Sequence, residues 1–227
     1  MGSSWLRRLK YYGLGFGLGL VFVFFFFQNR GCSWLPGNRV KNTILSRVMV
    51  VSDEAAIAFE KKGITKKDAI DALNDGDVIF GESDKNDESK VYVIEHKGNK
   101  FLYTLPFESF LTEVSLGGNA NQTETSSEGM GTIWRYPVDD DLVFLDSSSV
   151  LRCQLDQLQI KDAKEVFERI QESGKIDFAR TDLSVRPKPE HYIVFMQDSV
   201  EVAAKGIWYK DKLEMLSFDF PGEVKCP

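Results

Sequence analysis

Histidine occurs twice and cysteine three times in these 227 residues, and no acidic residue precedes Asp53. Each scarcity closes off a class of function. His96 and His191 have no second histidine or cysteine at ligand spacing, so both read as structural rather than metal-binding or catalytic. Cys32, Cys153 and Cys226 are odd in number and far apart, so they set no disulfide framework. A bond between Cys153 and Cys226 is allowed in an oxidising compartment. With Leu151, Leu155 and Leu158 around it, Cys153 reads instead as a buried free thiol. A Gly-rich phosphate loop, a nucleophile elbow and an HExxH motif are all missing. Asp139-Asp140-Asp141 lacks the spacing and the glycine of a calcium loop and reads as a solvated turn. No cofactor, no metal and no catalytic residue is expected.

The acid-free start holds seven Lys or Arg up to Arg47. Within it, Tyr11 to Phe27 reads YYGLGFGLGLVFVFFFF, without a charge. As a helix this run covers about 26 Å, close to the lower limit for crossing a bilayer, and residues 11–28 are expected to be a transmembrane helix. A cleaved signal peptide needs small residues at its cleavage site. Here Gln28, Asn29, Arg30 and Gly31 follow, and Asn29 and Arg30 also spoil a lipoprotein reading of Cys32. Residues 1–10 then form a cytoplasmic tail and residues 29–47 a basic juxtamembrane segment. The resulting expectation is a single-pass protein of a bacterial inner membrane with its C-terminal part in the periplasm. Arg7, Arg8, Lys10, Arg30, Arg39 and Lys41 suit anionic lipid headgroups. Gly13 with Gly17, and Gly15 with Gly19, give two small-xxx-small pairs for close helix packing in the membrane.

Beyond Arg47 the balance reverses, with 21 basic against 34 acidic residues. A body so acidic repels a nucleic-acid backbone, so no nucleic acid is expected as partner. One pattern occurs twice in it. GDVIFGESD runs from Gly76 to Asp84 and GKIDFARTD from Gly174 to Asp182, with Val78/Ile176, Phe80/Phe178, Ser83/Thr181 and Asp84/Asp182 matched at a spacing of 98. Helical sequence precedes both, and a strand around a tyrosine follows both, at Val91–Ile94 and Tyr192–Phe195. In the first copy Ser52 caps a helix ended by Gly63, and Thr65 caps a second ended by Gly76. In the second copy Leu151, Leu155 and Leu158 form one stripe, and Ala163, Val166, Phe167 and Ile170 form the next. Further strands are expected at 100–105, 110–116, 200–209 and 213–220. The fold class expected is α+β, with two tandem units at 48–116 and 132–227. Each is read as helices packed on an antiparallel sheet of about four strands. The intervening Gly117–Gly131 stretch reads as a flexible linker. Its Asn121-Gln122-Thr123 is a glycosylation acceptor only in a eukaryotic secretory pathway.

GCSWLPGNRVKNTI after a Gly-rich span, and the progression helix–GDVIF–ESD–VYVIE, resemble the domain-of-unknown-function family 4258 in its membrane-anchored bacterial form. The resemblance covers the N-terminal anchor and the first unit through about Leu116, and the second weakly. It implies a fold like that of small ribonuclease toxins. It also implies a His-Ala pair and an arginine on the first helix, where this chain has Glu54, Ala55 and Ala58. Both groups suited to acid, base or phosphate-clamp work are thus replaced. Ser83, Asp84, Thr181 and Asp182 recur at strand ends, either as a polar site or as turns closing the strands. The function expected is a non-enzymatic binding or assembly module with a protein partner in an envelope complex. The alternative is a membrane-tethered nuclease-like enzyme.

Overall fold

The computed structural model describes residues 3–29, 35–85, 88–117, 120, 125–139 and 141–226. The chain forms two compact units, residues 1–39 and 40–227. In the first, α1 runs over Ser3–Asn29, and Leu14, Phe16, Leu18 and Leu20 stand exposed around it. Among the described residues no helix is long and apolar enough to cross a membrane. This corrects the transmembrane reading of 11–28 and the single-pass inner-membrane placement that followed from it. The helix is long enough, but Arg8, Lys10, Tyr11, Tyr12 and four glycines dilute its apolar side chains. The side chains of Phe25, Phe26 and Phe27 lie outside the described residues. The basic segment expected to lie along a membrane contains helix α2, Pro36–Leu45.

The expectation of two small antiparallel sheets is corrected as well. Residues 48–219 build one mixed sheet of twelve strands. The first half contributes β1 (Val48–Ser52), α3 (Asp53–Lys61), α4 (Lys66–Asp75), β2 (Asp77–Val78), β3 (Asp84–Lys85), β4 (Ser89–His96), β5 (Asn99–Pro106) and β6 (Leu111–Leu116). Then follows β7 (Met130–Arg135), formed where the linker was expected to run out. The second half contributes β8 (Val143–Leu145), α5 (Ser149–Leu158), α6 (Ala163–Ser173), β9 (Lys175–Asp182), β10 (Glu190–Gln197), β11 (Val200–Tyr209) and β12 (Lys212–Asp219). The strand order is β2-β4-β5-β6-β1-β7-β9-β10-β11-β12-β8, with β3 beside β4.

The two halves have the same topology. In each, the strand before the helices pairs in parallel with the last strand of the half, β1 with β6 and β8 with β12. The local chemistry repeats too. Ser52 and Ser148 cap α3 and α5 by accepting from the Ala55 and Leu151 amides, each at 3.3 Å. Thr65 and Asp162 start α4 and α6; Asp68 accepts from the Thr65 amide at 2.8 Å, and Asp162 accepts from the Glu165 amide at 3.0 Å while Glu165 accepts from the Lys161 amide. Gly76 and Gly174 end those helices in extended conformation, their amides donating to Ala72 and Ile170. A Cβ would lie 2.5 Å from the Ala72 carbonyl at the first and 2.3 Å from the Ile170 carbonyl at the second. The Ser83 hydroxyl donates to the Ile79 carbonyl and the Thr181 hydroxyl to the Asp177 carbonyl, both at 2.8 Å and both four residues back.

The halves differ in which way they face. Val48 and Val50 of β1 pack in the core under α5 and α6, with Leu151, Phe167, Ile170, Ile193 and Phe195. Met49 and Val51 pack under α2, α3 and α4, with Phe59, Leu73, Phe101 and Tyr103. Neighbouring residues of a strand point to opposite faces, so the two helix layers cover opposite faces of one sheet. The single strand β7, antiparallel to both β1 and β9, is the cause. It leaves the order of the strands unchanged and reverses their direction, which turns the second half over.

Cys153 and Cys226 form a disulfide, correcting the free-thiol reading. The partner arrives because two glutamines on α5 hold the C-terminal segment against the helix. Gln154 donates to the Phe218 carbonyl (2.8 Å) and accepts from its amide (2.9 Å). Gln157 does the same for Val224 at 2.9 and 2.8 Å.

Candidate functional site

A cleft of about 250 Å³ opens where β1 passes into α3. Ser52, Glu54 and Ala58 line it from the start of the helix, Thr104 and Glu113 from β5 and β6, and Ser126 from the segment before β7. Thr104 and Glu113 are cross-strand partners in the β5–β6 ladder, so their side chains stand together on one face. Glu113 is only 9 % exposed. Burial pushes its carboxyl up to about 7, against the hydrogen bonds from the Ser126 amide and hydroxyl that favour the charged form. The Ser126 amide lies 3.0 and 3.2 Å from the two carboxylate oxygens. Thr104 is 2 % exposed and lines the cleft beside it.

None of the described residues lining the cleft is Lys, Arg or His. It therefore lacks the cationic clamp that a phosphate needs and presents two carboxylates and several hydroxyls instead. Such a lining accepts hydrogen bonds from an ammonium or guanidinium group and repels anions. Glu54 and Ala58, the positions singled out by the family resemblance, both lie on this wall. Glu113, Thr104 and Ser126 carried no sequence signal, because only pairing of β5 with β6 brings them together. Among the described residues, no group of three His, Cys, Asp or Glu is arranged to hold a metal ion.

The other residues of interest fall elsewhere. Five strands separate Asp84, on β3, and Ser83 just before it from Thr181 and Asp182, on β9, so the four do not form one site. Asp182 accepts from the Ser184 amide at 2.8 Å and hydroxyl at 2.6 Å, which closes a turn. Gly13, Gly15, Gly17 and Gly19 lie on α1 with nothing within 4 Å of a Cβ built there. Arg8 and Lys10 are exposed on α1, while Arg30 and the Arg7 side chain lie outside the described residues. Arg39 lies on α2. Lys41 donates to the Asn74 carbonyl at 3.3 Å, near the negative end of α4. Asn121 and Asp140 also lie outside the described residues.

His191 is fully buried, with its Nε2 3.0 Å from the Ser109 hydroxyl. Burial drives its imidazole down to about 3, so it is neutral at physiological pH. Ser109 is also fully buried and accepts from the Leu111 amide at 2.9 Å. A serine–histidine pair closed off from solvent cannot attack a substrate. It fastens the loop before β6 onto β10, alongside the Phe110–His191 ring contact and the Lys188–Glu108 ion pair. Comparison with protein-family models, curated proteins and solved structures finds no match.

Proposed function

We propose that the body from Val48 onward is a non-enzymatic binding module that takes a positively charged group of a partner protein into the cleft beside Glu113. The buried Glu113 carboxyl carries this reading. It accepts from the Ser126 amide, stands beside Thr104, and shares the cleft with Glu54. A lysine or arginine side chain entering the cleft supplies the charge and the N–H donors that these groups lack. Because burial raises the Glu113 carboxyl to about 7, such a cation displaces its proton, and binding weakens as pH falls below that value. The acidic balance beyond Arg47 draws basic partners toward the same body.

The nuclease-like alternative rests on one observation, a carboxyl able to exchange a proton near neutrality. The absence of a cation among the described lining residues weighs against it. Titration with N-acetyl-arginine amide and N-acetyl-lysine amide, against N-acetyl-glutamine amide, tests the proposal. Saturable binding of the cationic probes is expected, weakened about tenfold or more, at least 1.4 kcal/mol, in Glu113→Gln and reduced in Thr104→Val. Equal binding of the neutral probe, or unchanged binding in Glu113→Gln, overturns it. RNA cleavage that Glu113→Gln abolishes would install the enzyme instead.

A further inference from the structure

The internal repeat shows what the open end of the sheet lacks. Met49 pairs with Thr112 across β1–β6, as Leu145 pairs with Met215 across β8–β12. This register, which also matches the helix caps Ser52 and Ser148, sets Phe144 at the position of Val48. Both residues face away from the helices of their own half. The two have opposite surroundings. Val48 is buried, because β7 pairs with the outer edge of β1 and the core of the other half covers it. Phe144 is 51 % exposed, because β8 ends the strand order and no strand follows it.

The edge itself is open. The Leu213 amide donates to the Leu142 carbonyl, and the Asp146 amide donates to the Met215 carbonyl. In a parallel ladder alternate residues bond to the same neighbour, so the peptide groups of Phe144 face β12. Those of Val143 and Leu145 point outward, with no partner among the described residues. Exposed edges in monomeric proteins are guarded by short length, lysine, proline or a bulge. β8 is short, but its Val-Phe-Leu carries no lysine, proline or bulge.

We infer that β8 pairs antiparallel with β8 of a second copy of this chain, about a two-fold axis through Phe144. The triplet is self-complementary in that register. Val143 of each copy lies opposite Leu145 of the other, and each such pair exchanges two backbone hydrogen bonds, four in all. Phe144 faces its own equivalent at a non-hydrogen-bonded position, where side chains approach most closely. Flanking residues do not oppose the pairing, since Asp141 meets Ser147 and Asp146 meets Leu142. The contact is isologous, so it closes at two copies and does not propagate. It rests on the sheet edge alone and is independent of the cleft.

Sedimentation equilibrium of the full chain over a wide concentration range, with Phe144→Lys beside it, tests the pairing. A reversible dimer is expected for the natural sequence and a monomer for Phe144→Lys. Phe144 is half-exposed, so the substitution leaves the fold intact, which circular dichroism checks. The second arm is Phe144→Cys with Cys32→Ser, which should cross-link as a dimer on mild oxidation. Val138→Cys in the same background, 95 % exposed and six residues away, should not. A natural chain that stays monomeric overturns the inference. So does a dimer that survives Phe144→Lys, as association through α1 would, or cross-linking that is equal at positions 138 and 144.

Discussion

Two buried titratable groups, Glu113 and His191, should offset each other in the stability of this protein over a defined range of pH. The Glu113 carboxyl rises from 4.5 to about 7 on folding, and the His191 imidazole falls from 6.5 to about 3. Between pH 4.5 and 6.5 the folded chain holds a proton on Glu113 and none on His191. The unfolded chain holds one on His191 and none on Glu113. The two states bind equal numbers of protons at these sites, so the contributions to the slope of stability against pH cancel. Taken alone, the raised carboxyl stabilises fully below pH 4.5 and loses that contribution as pH climbs through 7. The depressed imidazole stabilises above pH 6.5 and loses its contribution as pH falls toward 3. Each is worth about 1.4 kcal/mol per pH unit in its window. Urea denaturation from pH 4.5 to 6.5 should therefore give a nearly flat profile for the natural sequence. Glu113→Gln unmasks the histidine, and stability should climb by about 3 kcal/mol across that range. His191→Gln unmasks the carboxyl, and stability should fall by a similar amount. The carboxylates held low by hydrogen bonds, Asp68, Asp139 and Asp182, act below this range because their shifts are downward from 3.8. A Glu113→Gln profile that superimposes on that of the natural protein would refute the assigned burial of this carboxyl.

Two further outcomes follow from the repeat and the C-terminal segment. Gly76→Ala and Gly174→Ala should each destabilise by about 1–3 kcal/mol, since the added carbon meets a helix carbonyl that cannot retreat. Thermal unfolding of the two variants measures this, and equal costs would show that the copies are equivalent in energy as well as in shape. Cys226→Ser should lower stability by up to about 4 kcal/mol, from the entropy of a loop closed across a sequence separation of 73. Amide exchange at Val224 should accelerate with it, because Gln157 then holds that peptide without the covalent anchor.

The repeat was legible in sequence because its signals are local. Ser52, Thr65 and Gly76 cap or stop helices by contacts within four residues, and Ser148, Asp162 and Gly174 repeat these roles in the second copy. The strands β1, β7 and β8 were not legible as such. Val48–Val51 is buried on both sides, so no alternation marks it as a strand. β7 begins with Met130 and Gly131 at the end of a polar, glycine-rich stretch, and β8 has only three residues. The union of the halves into one sheet depends on pairing between strands far apart in sequence, which periodicity does not encode. The cleft was invisible for the same reason, since Thr104 and Glu113 meet only across a ladder. The misread thiol has a related cause. Cys153 does sit in a leucine pattern, but Gln154 and Gln157 bring Cys226 to it through backbone contacts that composition does not announce.

The solitary spacer strand β7 has a consequence for where ligands can approach. By reversing the second half, it sends the carboxyl ends of β1 and β8 to opposite rims of the sheet. The acidic recess at the end of β1 thus has no twin beside it. A partner reaching one rim reads one copy of the ancestral pattern, never both, which leaves each copy free to diverge toward a task of its own.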